Sequence, residues 1–162
     1  MANIHAIDNI GNTALHLAVK SSHINIVKIL LEHGSNVNKA NNYKQLPIHL
    51  STNNDILNLL IKHNSKINEK DYKGDTVMHY FIKKNIKSSI KILLDNYANP
   101  FIENNCGLNA IDYCNKVNKN LTNNIINYSN KIKEEYHGMV TNILIKNKQE
   151  ILLSNQILNF LF

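Results

Sequence analysis

The chain has no Trp, two Pro, two Cys and five Gly in 162 residues, and it has no Arg, because all 18 basic side chains are Lys. Each shortage narrows the functions open to it. Without Arg there is no planar fork for bidentate contacts with guanine or phosphate, and the lysines are scattered along the chain. The formal charge of +6 therefore points to general solubility or an acidic protein partner rather than to nucleic acid. Five glycines make a poor phosphate cradle, and no glycine-rich loop, paired-carboxylate site, zinc spacing or nucleophile–base pattern is visible. Cys106 and Cys114 form no CxxC pair and no metal spacing with His, which suits a reduced, cytoplasmic protein with no cofactor. The apolar end "ILLSNQILNFLF" is too short and too interrupted to span a bilayer, and "MANIHAIDNIG" has no secretory character. A non-enzyme, away from membranes, is the expectation.

What is present is a globular composition, 43% apolar, with 30 Asn. Abundant Lys, Asn and Ile together reflect AT-rich coding, which points to a virus, an intracellular bacterium or a protozoan. More telling is a histidine inside an apolar phrase, "TALHLA" around His16, that returns as "LPIHLS" around His49 and "TVMHYF" around His79. Aligning Asp8, Asn41, Asp71 and Asn104 gives steps of 33, 30 and 33 residues. Such a period marks a repeat architecture.

The first unit, "DNIGNTALHLAVKSSHINIVKILLEHGSNVNKA", reads directly. Asp8 to Gly11 is turn chemistry, with Gly11 free to take a positive φ. Thr13 is placed to cap a helix whose Leu15, Ala18 and Val19 share one face. Ser21-Ser22 breaks it, Ile26 to Leu31 form a second helix, and Gly34 ends that one. Gly74 and Thr76 repeat the roles of Gly11 and Thr13 in the third unit. Each unit is thus a helix–turn–helix with a projecting loop, too small to bury its own apolar face, so neighbours must stack. Unit two is three residues short near its turn, which should be tight. The left-handed position of Gly34 is filled by Asn64 and then by Tyr97, which tolerates it poorly.

These phrases and this period resemble ankyrin repeats. The resemblance covers roughly residues 3–114 and implies an all-α solenoid of stacked helix–turn–helix units. It divides the chain into repeats over 1–115 (8–40, 41–70, 71–103 and a partial unit from 104) and a helical C-terminal cap or docking segment over 116–162. The tail-like "ANIHAID" leaves either a missing upstream repeat or a partial cap at the start. In such repeats His16, His49 and His79 are structural, tying each helix start to the next loop. They also recur about one packing distance apart, roughly 10 Å, too far for shared metal ligation or catalysis.

The resemblance further implies a monomeric protein-binding module whose loop tips and first-helix face form a concave surface. Carried onto this chain, the tip positions are Ile10 and Asn12, Tyr43 and Gln45, then Tyr72, Lys73 and Asp75. Lys20, Lys83 and Lys84 face the groove. Ile10, Tyr43 and Tyr72 carry most weight, since an apolar side chain at an exposed tip gains nothing from folding and aromatics anchor interfaces. With a pathogen origin, the partner would be a host protein met in the host cytoplasm. Past residue 116, Leu121, Ile125, Tyr128, Ile132 and Tyr136 recur at helical spacing, and a further helix is expected over 141–162. It caps the stack. Alternatively it recruits a ubiquitin ligase, as F-box-like ends of poxviral ankyrin proteins do, or mediates self-association; the expected Leu-Pro opening of an F-box is absent.

Overall fold

The computed structural model describes residues 3–117 and, beyond them, residues 123, 125–127, 130, 131 and 134. Unit one supplies helices α1 (Ala14–Lys20) and α2 (Ile24–Glu32). Unit two supplies a four-residue 3-10 turn (Pro47–Leu50) and α3 (Asn54–Lys62). Unit three supplies α4 (Val77–Lys83) and α5 (Lys87–Asp95), and unit four opens with α6 (Ala110–Val117). By its contacts the chain divides into Met1–Ile125 and Ile126–Phe162. In the second unit residues 126, 127, 130, 131 and 134 are helical, and the helix expected over 141–162 lies outside the described residues.

Helices of seven to nine residues are too short to persist alone, so packing must hold them. Leu15, Val19 and Val27 of unit one are buried, as are Ile48, Ile56, Leu57 and Leu60 of unit two. Met78, Phe81, Ile90 and Leu93 continue the same core through unit three, and Ala110 and Cys114 through unit four. Burial pushes the Cys114 thiol up to about 11, so this cysteine is an inert packing group. Ile26 and Ile29, at the outer end of unit one, remain about half exposed, whereas Ile56, in register with Ile26, is fully covered by the preceding unit.

Unit two corrects the expectation of a full hairpin with a tight turn. The connectors 21–23, 51–53 and 84–86 have equal length, and it is the first helix that shrinks, from seven residues to four. Pro47 suits the first position of the turn, its fixed φ and missing N–H costing nothing there. Ser51 then runs extended (φ −67, ψ 140), and Asn53 caps α3 by accepting from the Asp55 and Ile56 N–H groups. The other connectors turn instead through left-handed residues, Ser22 (φ 55) and Asn85 (φ 54). The deletion falls in the helix because α3 must still reach its place against α2.

Asparagines staple successive fingers. Asn38 accepts from the Lys66 N–H at 2.8 Å and donates to the Asn64 carbonyl at 3.0 Å. Asn68 repeats this with the Asn99 N–H and the Tyr97 carbonyl. Each amide closes one donor and one acceptor that the loop backbone cannot pair itself.

Candidate interaction surface

Each tip is built by one oxygen. Asp8 Oδ1 accepts from the Ile10 and Asn12 N–H groups, Asn41 Oδ1 from Tyr43 and Gln45, Asp71 Oδ1 from Lys73 and Asp75, and Asn104 Oδ1 from Cys106 and Leu108. Backbone bonds then stitch tip to tip: Asn42 N–H to the Ile10 carbonyl, Tyr72 N–H to Tyr43, and Asn105 N–H to Lys73, each 3.0 Å. This close approach explains two glycines. A Cβ on Gly11 (φ +78) would lie 2.6 Å from Asn42 Oδ1, and one on Gly74 (φ +76) 2.7 Å from the Asn105 nitrogen.

The phrase histidines lie behind the tips. The Thr13 N–H and hydroxyl meet His16 Nδ1 at 3.1 and 2.9 Å, while Thr13 Oγ1 accepts from the His16 N–H. This is a capping box with imidazole in the usual carboxylate position. Because Nδ1 accepts, Nε2 carries the proton and donates to the Gln45 carbonyl of the next unit at 3.0 Å. His49 and His79 make the corresponding bonds to the Glu69 and Leu108 carbonyls, and Thr76 pairs with His79 as Thr13 does with His16. Burial holds all three imidazoles below the usual histidine range. In unit four Asn109 and Asp112 form the cap, Asp112 Oδ2 accepting from the Asn109 N–H at 2.8 Å.

A polar ladder crosses the units between tips and helices. Asn41 Nδ2 donates to Asn12 Oδ1, Gln45 Nε2 to the Tyr80 hydroxyl, and that hydroxyl to Asp71 Oδ2 at 2.6 Å. Burial and the Asp71 carboxylate raise the Tyr80 phenol above its ordinary range, so it stays a donor. Asp75 accepts from Lys83 Nζ at 2.7 Å and from Asn104 Nδ2 at 2.8 Å. Burial alone would raise the Asp75 carboxyl, but these two bonds hold it below the usual value. The Lys83 ammonium also sits 4.4 Å over the Tyr113 ring.

This ladder corrects several surface assignments. Asn12 and Asp75 are buried, and Gln45 is half-buried, because their side chains are consumed between units. Lys83 is still exposed, but its ammonium is committed to Asp75. Tyr80 and Tyr113, which hold the ladder, went unremarked in the sequence; their signal was the shared position just after the phrase histidine or its Asp112 substitute. The remaining candidates do stand at the surface: Ile10, Tyr43 and Tyr72 are 41%, 44% and 49% exposed. Lys20, Lys73 and Lys84 are exposed as well. The Tyr43 and Tyr72 rings tilt against each other at 5.7 Å, although Tyr72 follows Asp71 by one residue and Tyr43 follows Asn41 by two, and Lys73 Nζ lies 5.4 Å from the Tyr72 ring. No cluster of metal-ligating side chains occurs among the described residues. Nor is any helix among them long and apolar enough to cross a membrane.

Stacked helical hairpins with stitched β-turn tips define a repeat solenoid, whose usual work is to present a surface to another protein. Residues 1–71 match the family model described as ankyrin repeats (3 copies). The repeats are ankyrin repeats. An ankyrin repeat protein of fowlpox virus is 39% identical over 103 residues, covering 63% of this chain and 25% of its own length. One of variola virus is 30% identical over 122 residues, covering 68% and 22%. The human transient receptor potential cation channel subfamily A member 1 is 32% identical over 108 residues, covering 64% and 10%. The chain thus spans a quarter or less of each of these relatives.

Proposed function

We propose that this chain is a non-catalytic protein-binding module of a pathogen, presenting Ile10, Tyr43 and Tyr72 on three stitched tips to a host protein in the cytoplasm. The observation that carries this reading is the placement of three large apolar side chains, each two-fifths exposed or more, on backbone that hydrogen bonds hold in register. A preorganised surface loses little conformational freedom on binding, which lowers one of the costs set against the burial. Covering the exposed half of a tyrosine ring is worth about 2 kcal/mol at roughly 25 cal/mol per Å². The viral relatives and the AT-rich coding support a pathogen origin. Residues 1–115 act as the binding domain in this reading, as a monomer, with 116–162 as its cap.

Capture from host-cell lysate by the intact chain, run beside Tyr43→Ala/Tyr72→Ala, tests it. A protein retained by the first and lost, about a hundredfold, from the second supports the tips as the site. Equal retention by both contradicts it.

A further inference from the structure

Building on that reading, we infer that the tip surface is matched to an acidic protein segment that also carries apolar side chains. The inference comes from where the charges point. At the second and third tips no carboxylate faces outward: Asp71 and Asp75 are buried and taken up by backbone N–H groups, Tyr80, Lys83 and Asn104. Asp8, at the first tip, is exposed, with its oxygens accepting from the Ile10 and Asn12 N–H groups and the Asn12 amide. The ammonium groups face outward instead. Lys44 and Lys73 flank the tyrosines at the tips, Lys20 and Lys84 stand at the ends of α1 and α4, and all four are exposed. No carboxylate among the described residues pairs with Lys20, Lys44 or Lys84.

The outer helices offer a contrast. Lys28, Lys62, Lys87 and Lys91 are there accompanied by Glu32, Asp55 and Asp95, so both signs are presented together. Among the described residues, the second and third tips join exposed Lys44 and Lys73 to the exposed Tyr43 and Tyr72, with no exposed carboxylate in either tip. An incoming carboxylate can meet Lys44 or Lys73 while an apolar neighbour covers the Tyr43–Tyr72 pair. Nucleic acid is the weaker match, because its phosphates would leave the half-exposed tyrosines and Ile10 to be covered by splayed bases, and no Arg is present to fix them.

The probe is a random copolymer of glutamate and tyrosine, added to the full chain and followed by amide chemical shifts. Comparators are polyglutamate, a lysine–tyrosine copolymer and a single-stranded oligo-dT. The glutamate–tyrosine copolymer should bind best, shifting amides 10, 43, 44, 72 and 73, with affinity falling about tenfold from roughly 50 to 500 mM salt. Lys44→Glu/Lys73→Glu should weaken it about tenfold, and Lys28→Glu/Lys62→Glu should leave it unchanged. Stronger binding of oligo-dT, equal binding of the lysine–tyrosine copolymer, or equal binding of polyglutamate each overturns the inference. Should the lysine variants keep full affinity while Tyr43→Ala/Tyr72→Ala loses it, the acidic preference is wrong and the tip reading survives. Shifts confined to the outer helices would remove both.

Discussion

At the scale of single residues, the phrase histidines are the parts most exposed to pH. His16 Nδ1 accepts from Thr13, so a proton placed there faces a donor and breaks the cap while Nε2 holds the next unit. Burial lowers the three imidazoles in the fold, so the unfolded chain takes up protons first. Stability is therefore full above the unfolded histidine value, about pH 6.5, and is lost as pH falls through the depressed folded values. The urea midpoint should drop between about pH 7.5 and pH 5.5, and a flat profile there contradicts the neutral-histidine cap. Tyr97 makes a second residue-scale test. It holds φ 62 with its side chain 69% exposed, so it bears left-handed strain with little packing in return. Tyr97→Gly should stabilise the chain by about 1 kcal/mol in denaturant unfolding.

At the scale of elements, the finger staples are worth more than their surface position suggests. Asn68 serves a donor and an acceptor of the next unit, and truncation leaves both to find water. Asn68→Ala should cost about 1–2 kcal/mol, and Asn38→Ala a similar amount, both read from unfolding midpoints. An unchanged midpoint for both variants would mean that solvent replaces these bonds at no loss. The elements also show what a sequence conveys and what it withholds. Thr13, Gly11 and the Leu15–Val19 face were legible because capping, positive φ and helical period are local rules. The fate of unit two was not, since whether three missing residues leave a turn or a helix is decided by where α3 must pack against α2. Likewise Asn12 and Asp75 read as tip residues, and their burial depends on Asn41 and Asn104, each 29 residues away. No local pattern reports a partner at that distance. Tyr43 and Tyr72 were legible as tip residues, yet their ring pair needed the stitched register.

At the scale of the whole molecule, the stack acts as a ruler that sets tips side by side. The ring pair of Tyr43 and Tyr72 means that the tips gain something from folding after all, about 0.5–1.5 kcal/mol. Tyr43→Ala/Tyr72→Ala should lower stability by no more than that and leave the helical circular dichroism unchanged. Loss of helicity would show that the tyrosines hold the stack together. The most direct measurement is hydrogen–deuterium exchange of the chain with and without its captured protein. Slowed exchange confined to residues 8–12, 41–45 and 71–75 is the expected result. Protection centred on Ile24–Glu32 and Lys87–Asp95, with the tips unchanged, would place the partner on the outer helices and contradict the tip surface as the site.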